Sequence, residues 1–283
     1  KDAKVSLSFL VLGSSSSGNA TLLRCQTESG ERNFLIDAGL GPRTFVRRLA
    51  MAGLETPRLD GIVLTHADSD HIRNSWRRTL ERDEIPVHVP VAHRYDAERQ
   101  AVPRILSRVF SGPFEPAPGV RFAPYVCPHD REGSCAFRIS CGDASLGWAT
   151  DLGRVPKGLL EHLDGVDALA IESNYDQELQ QHSGRPDFLV RRITGGLGHL
   201  SNRECLEAVK ELTSRQDLLN PMAHIVLLHL SRDCNRPELV RELWAREAPE
   251  LLKRLVISAH DRPAALLHIR SGAGSTEQGV LFA

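Results

Sequence analysis

Four side chains of metal-binding type lie close together in the segment Thr65–His71. They are the imidazoles of His66 and His71 and the carboxylates of Asp68 and Asp70. Imidazole and carboxylate groups bind zinc and other first-row divalent ions. A single residue of either type is common without a metal, but this density on one short loop indicates a metal site. A pair of such ions performs hydrolysis, because it activates water and stabilises both the attacking and the leaving oxygen.

Three distant residues of the same chemical type, His129, Asp151 and His229, also follow apolar segments. The loop Thr65–His71 itself follows the apolar run Leu59–Thr65. Strands of one sandwich end along a shared edge, so we expect these residues to converge and rigid strand ends to fix their directions. The three apolar segments are Val120–Cys127, Leu146–Thr150 and Ile225–Leu228.

The elements that must position these residues are strands in the first part of the chain and alternating strands and helices later. This order predicts an α/β sandwich with helices on its outer faces. Ser111–Gly119 is rich in Pro and Gly and predicts a loop within one domain that spans residues 1–283. The expected strands are Val5–Leu12, Ala20–Cys25, Asn33–Asp37, Leu59–Thr65, Val120–Cys127, Cys135–Ser140, Leu146–Thr150, Val166–Ile171 and Ala223–His229. The expected helices are Pro42–Ala52, Ser69–Leu80, Ser201–Leu212 with a capping box at Ser201 and Glu204, and one from about Pro237.

Composition limits the classes of function. A formal net charge of -1 excludes a strong basic field over the whole molecule, although a local basic groove remains open. Almost all positive charge is Arg, which suits bidentate phosphate contacts, unless it reflects a compositional bias of the source. Six cysteines without a CxxC pair favour a reducing compartment and argue against a thiolate zinc site. No apolar run reaches membrane-spanning length, so we expect a cytoplasmic protein without membrane contact.

The segment Thr65–His71 (the metal-binding loop) resembles the signature of the metallo-β-lactamase superfamily, His-x-His-x-Asp-His, with Asp68 in place of the second histidine. Phe34–Gly39 resembles the strand and aspartate that precede this signature, and His129, Asp151 and His229 follow in the order of the later ligands. The resemblance covers nearly the whole chain. It implies a metallo-β-lactamase αββα sandwich, with two central mixed sheets and helices on the outer faces.

The resemblance also implies two divalent metal ions and their ligands. His66, Asp68 and His129 would hold the first ion. Asp70, His71 and His229 would hold the second, and Asp151 would bridge the two. Zinc is expected, but Asp68 makes the first site richer in oxygen, which favours manganese or iron or weakens its occupancy.

Within the superfamily, the chain resembles the small bacterial exonuclease-like (WalJ-like) members and ribonuclease Z. By this similarity His199 is a candidate general acid or donor to a phosphate oxygen, and Asp70 would orient the attacking hydroxide. Ser17, Asn174 and Asn202 are candidate substrate-binding residues from the same motifs. These motifs are Gly13–Asn19, Ile171–Asn174, Gly198–Asn202, Leu228–Ser231 and Asn235–Glu238.

The expected function is therefore a phosphodiesterase or nuclease that acts on single-stranded ends through a metal-bridging hydroxide. A lactonase or thioesterase uses the same chemistry on a carbonyl carbon, and a metal-poor binding module with a decayed site is a third interpretation.

Arg73 and Arg77 would share a helix face that contacts phosphates or is merely solvated. The loop Ser14–Gly18 would offer N–H groups to phosphate or be an ordinary turn, and His260–Arg262 would flank the groove or lie on the surface. The oligomeric state, monomer or homodimer, stays open.

Overall fold

The first of two mixed sheets contains the N-terminal strands. The computed structural model describes residues 7–216 and 221–269. In the first sheet the strand order is β14-β1-β2-β3-β4-β5-β6, antiparallel from β14 to β3 and parallel from β3 to β6. Its strands are β1 (Leu7–Gly13), β2 (Ala20–Thr27), β3 (Gly30–Ile36), β4 (Gly61–Val63), β5 (Val87–Pro90), β6 (Ser107–Phe110) and β14 (Leu267–Ile269).

The second sheet contains the middle strands and most of the C-terminal ones. Its order is β13-β12-β11-β10-β9-β8-β7, antiparallel from β7 to β10 and parallel from β10 to β13. Its strands are β7 (Phe114–Ala117), β8 (Val120–Cys127), β9 (Ser134–Cys141), β10 (Ala144–Ala149), β11 (Ala168–Glu172), β12 (His224–Leu228) and β13 (Leu255–Ile257).

The two sheets pack face to face, and helices cover their outer faces. Phe34 of the first sheet meets Phe122 of the second edge to face, with ring centroids 6.2 Å apart. A second apolar layer joins the first sheet to the helices on its outer face, and a third joins the second sheet to the helices on the opposite outer face. The αββα sandwich expected from the sequence is confirmed. The helices are α1 (Pro42–Met51), α2 (Arg77–Asp83), α3 (Arg94–Gln100), α4 (Lys157–His162), α5 (Gln177–Gln181), α6 (Asp187–Thr194), α7 (Asn202–Ser214) and α8 (Pro237–Glu247).

Most predicted elements are present with shifted ends. The strand Val120–Cys127 has the predicted bounds, and Ser201 and Glu204 form the predicted capping box at the start of α7. Residues 5 and 6 of the first predicted strand lie outside the described residues. No helix within the described ranges is long and apolar enough to cross a membrane.

Two predictions about local structure are wrong. The helix expected over Ser69–Leu80 begins only at Arg77, after a 3-10 turn at Asn74–Trp76. The preceding residues pair with neighbouring loops instead, because Asn19 and Ala38 donate backbone N–H groups to the carbonyls of Asp70 and His71.

The loop expected over Ser111–Gly119 contains β7. Phe114 in this strand stacks on Phe110 and on Phe122, and this packing outweighs the turn tendency of the surrounding Pro and Gly.

Candidate metal centre

Three polar residues leave their strands in the left-handed conformation at one edge of the sandwich. Asp37 follows β3, Asp151 follows β10 and His229 follows β12, with φ angles of 59°, 56° and 55°. Positive φ is uncommon for residues other than glycine. These sharp turns end each strand and bring all three side chains to one group of histidines.

The metal-binding loop after β4 is fixed by contacts with its neighbours. Thr65 donates its backbone N–H and its hydroxyl to the buried carboxylate of Asp37. Gly39 lies against the loop so closely that an added Cβ would stand 1.6 Å from the carbonyl oxygen of Asp70. The loop therefore occupies one position, which only a glycine at position 39 permits.

Four imidazoles are anchored through Nδ1, so that Nε2 is the nitrogen left for a ligand. In metal sites the second ring nitrogen of a histidine ligand usually donates to a carboxylate or a carbonyl in this way. The anchors of Nδ1 are Asp37 Oδ2 for His71 at 2.8 Å, Gly198 O for His129 at 2.8 Å, Glu172 Oε1 for His229 at 3.1 Å and Thr65 Oγ1 for His66 at 3.0 Å.

These four imidazoles and two carboxylates meet in two groups. His66, His129 and Asp151 form one, and Asp70, His71 and His229 form the other, each with ligand atoms within 4.8 Å of one another. Asp151 belongs to the first group, and its Oδ2 also lies 3.2 Å from His71 Nε2 in the second. Six of the seven predicted ligands therefore converge in two adjacent groups that suit divalent metal ions.

Asp68 stands at the outer edge of this cluster. Its side chain is 56% exposed, and its Oδ2 lies 3.9 Å from His66 Nε2. It forms a further group with His129 and Asp130, which lies farther towards solvent. The structure thus places Asp68 beside the first group and at the mouth of the site.

The charges of the cluster favour a bound cation. Burial alone would lower the pKa of His71 and His229, but the neighbouring carboxylates outweigh it. Asp37 and Asp151 hold the pKa of His71 well above its usual value, and chiefly Asp151 and Asp70 raise the pKa of His229 to about 10. Burial alone would raise the pKa of Asp151, but His229 and His71 outweigh burial and hold this pKa well below its usual value. Metal ions must therefore compete with protons for these two imidazoles.

Glu172, at the end of β11, connects the metal cluster to His199. It is fully buried, and its Oε1 accepts from Nδ1 of His199 at 2.8 Å and from Nδ1 of His229 at 3.1 Å. Its Oε2 accepts the backbone N–H of Leu152 at 2.6 Å. His199 is 22% exposed and lines the cavity in front of the cluster. One carboxylate therefore orients both a proposed ligand and the candidate general acid.

The cavity in front of the cluster has a volume of about 360 Å³. Asn174 lines it, and Ser16 lines it in place of the expected Ser17, whose side chain is exposed beside it. Asn202 does not reach the cavity, because its buried amide accepts from Ser173 and donates to Asn235.

The prediction that Arg73 and Arg77 share a helix face is wrong, because α2 begins only at Arg77. Arg73 donates to the backbone oxygens of Gly39 and Ser17, and Arg77 pairs with Glu81. The residues His260–Arg262 do not line the cavity.

Asp37 and Glu172 are two residues of this site that were not predicted from the sequence. Each is a carboxylate at the end of an apolar strand, as Asp151 is. The same signal that identified Asp151 could therefore have identified both.

Two known proteins match most of this chain in sequence. The exodeoxyribonuclease YycJ of Bacillus anthracis is 28% identical over 238 residues, which cover 83% of this chain and 86% of the relative. The exodeoxyribonuclease WalJ of Streptococcus pneumoniae is 26% identical over 243 residues, which cover 84% and 86%.

A crystal structure of a diphosphatase from the PhnP family has the same fold. It is 18% identical, with a TM-score of 0.62, and the match covers 94% of this chain and 100% of that one. Residues 32–224, more than half of the chain, match the family model described as beta-lactamase superfamily domain. The chain therefore belongs to the beta-lactamase superfamily.

Proposed function

We propose that this protein is a metal-dependent phosphodiesterase that hydrolyses nucleic acid. The observation that carries the proposal is the convergence of four anchored imidazoles, at His66, His71, His129 and His229, on Asp70 and Asp151. The two exodeoxyribonucleases, which match over most of their length, support a phosphodiester substrate. No contact among the described residues of the site favours a lactone or thioester substrate. A binding module without metal would leave this ligand set without a role.

The ligand set fits a pair of divalent ions. The buried Nε2 of His229 has no hydrogen-bond partner among the described residues. A metal ion bound to this nitrogen would account for the missing partner. Asp70, His71 and His229 would hold one ion and His66 and His129 the other, with Asp151 between them and Asp68 as an outer ligand. Two zinc ions suit these donors, and Asp68 would favour manganese or iron at the outer position. When bound, such ions activate water and neutralise charge on phosphate oxygens.

The residues around the ions would position the substrate and move a proton. His199, held by Glu172 through Nδ1, would donate from its other nitrogen to the leaving oxygen or to a phosphate oxygen. Asp70 lines the cavity and would orient the attacking water as well as bind metal. Asn174 would contact the substrate directly. Asn202 would act only through Ser173, to which it is hydrogen-bonded. Ser17 would contact the substrate only from the rim of the cavity.

The test combines metal content with activity. We expect the protein purified with added zinc or manganese to hold about two metal equivalents. It should hydrolyse bis(p-nitrophenyl) phosphate and a single-stranded oligonucleotide. His71→Ala should lose at least one equivalent and nearly all activity, whereas His182→Ala, at an exposed histidine, should keep both. Fewer than about 0.2 equivalents with no hydrolysis would contradict the proposal.

A further inference from the structure

A second cavity adjoins the cavity in front of the metal cluster (the catalytic cavity), and three of its six lining residues are arginines. Its volume is about 610 Å³, and its lining residues are Asp130, Arg131, Arg191, Arg192, Gly195 and Leu197. Asp130 and Arg192 also line the catalytic cavity, so the two cavities share one wall. A ligand that leaves the catalytic cavity past Arg192 therefore enters the second cavity without crossing the body of the protein.

Residues that line the second cavity are directly connected to residues of the metal centre by backbone contacts. Asp130 follows His129, and its backbone N–H donates to the carbonyl oxygen of Leu197 at 2.7 Å. The neighbouring carbonyl of Gly198 accepts from Nδ1 of His129 at 2.8 Å. The distance between the metal ligands and the second cavity is therefore fixed by the same segment that anchors His129.

The charges of this cavity suit a polyanion. Three guanidinium groups face one carboxylate, and Arg192 forms an exposed ion pair with Asp130 at 2.6 Å. Arg131 is 94% exposed, and its one ion pair among the described residues is with Glu132, at 3.4 Å. Arg191 is exposed and has no ion-pair partner among the described residues. Exposed guanidinium groups of this kind bind phosphates, and an exposed pair such as Arg192–Asp130 costs little to rearrange.

We propose that the second cavity is a phosphate-binding subsite for single-stranded nucleic acid that extends beyond the scissile phosphodiester. This inference rests on the proposed function. Arg131 and Arg191 would contact phosphates outside the catalytic cavity, and Arg192 would contact the phosphate between the two cavities. Leu197, which is half exposed, would lie against a base or sugar.

The test compares a long and a short substrate. Arg131→Gln combined with Arg191→Gln should raise KM about 10-fold more for a long thymidine oligonucleotide than for a thymidine dinucleotide, because only the long strand reaches the subsite. The slope of log KM against log salt for the long strand should fall by about 1.4, since each lost single-strand phosphate contact contributes about 0.7. The matched control is Arg82→Gln with Arg246→Gln, two exposed ion-paired arginines that line neither cavity.

Binding without catalysis separates this inference from the proposed function. With metal removed by EDTA, the Kd for the fluorescently labelled long oligonucleotide should be about 10-fold higher for the Arg131–Arg191 variant than for the control variant. Equal Kd values, or equal KM increases on long and short substrates, would overturn the subsite. Absence of hydrolysis by the unaltered metal-bound protein, with the Kd difference intact, would overturn the proposed function and leave the subsite standing.

Discussion

At the scale of residues, the candidate metal centre depends on buried carboxylates that orient the imidazole rings. Asp37 and Glu172 contact His71 and His229 through Nδ1, so that Nε2 of each ring is left for a ligand. The ligand types could be predicted from the sequence because each follows an apolar strand. The anchors Asp37 and Glu172 also follow apolar strands, but the sequence does not show which ring donates to each carboxylate.

Replacing Glu172 with Gln should lower activity without removing the ligands themselves. The amide has only one acceptor oxygen, so it cannot accept from His199 and His229 and also from the N–H of Leu152. We expect kcat for bis(p-nitrophenyl) phosphate to fall about 10- to 100-fold. The decrease should persist at saturating metal, because His199 is misoriented.

The control for this prediction is Glu178→Gln in the first turn of α5, which lines neither cavity. A Glu172→Gln protein that regains full kcat when metal is added would show that Glu172 affects metal binding alone.

His88 should make the folded protein sensitive to acid. Burial, and then the nearby charge of Arg108, lowers the pKa of His88 to about 4, below the usual 6.5. The ring is therefore neutral in the folded protein at pH values where the unfolded chain binds a proton. The stability that the folded protein has with a neutral His88 is fully present above pH 6.5 and is lost as the pH falls towards 4. The free energy of unfolding should decrease by up to about 1.4 kcal/mol per pH unit in this window.

The measurement is urea unfolding at several pH values for three proteins. His88→Phe keeps a ring to stack on Phe114, whose centroid lies 5.0 Å from that of His88, but it cannot be protonated. Its free energy of unfolding should depend less on pH than that of the unaltered protein. His182→Phe, at an exposed position, should retain the full dependence. Parallel pH curves for His88→Phe and the unaltered protein would exclude this role for His88.

At the scale of elements, tertiary contacts decide what local patterns cannot. The strands that carry ligands were predictable because their residues are apolar and nearly continuous. Residues 69–73 have a helical pattern, yet they form a loop because Asn19, Ala38 and Gly39 pack against them. Those partners are 31 to 51 residues away in the sequence, so no local signal contains them. The metal-binding loop therefore takes its shape from the elements around it.

Gly39 provides the test of this dependence. An added Cβ would meet the carbonyl of Asp70 and the backbone nitrogen of Asn19, neither of which can move without displacing the metal-binding loop. Gly39→Ala should therefore lower the free energy of unfolding by about 3 kcal/mol. It should also weaken metal binding, measured by titration with zinc.

The matched control is Gly112→Ala, where an added Cβ meets nothing within 4 Å and the φ angle is not in the left-handed region. Metal affinity in Gly39→Ala equal to that of this control would show that the loop keeps its shape without the close contact.

At the scale of the whole molecule, the metal centre joins the two sheets. Asp70 and His71 follow β4 of the first sheet, whereas His129, Asp151 and His229 follow strands of the second. Phenylalanines from both sheets also share one apolar core. These contacts support the proposal that residues 1–283 form a single domain.

Metal binding should therefore stabilise both sheets together. A ligand that binds only the folded state adds about 2.7 kcal/mol at a concentration of 100 times its Kd. For a protein of this size that corresponds to a rise in Tm of roughly 4 to 5 °C. Calorimetry should show one transition that shifts as a whole when zinc is added to EDTA-treated protein. Two transitions, of which only one shifts, would mean that the sheets unfold separately and that the ligands do not bridge them. The His71→Ala variant should show a smaller shift, because it removes a ligand contributed by the first sheet while the sheet-to-sheet core around Phe34 and Phe122 stays intact.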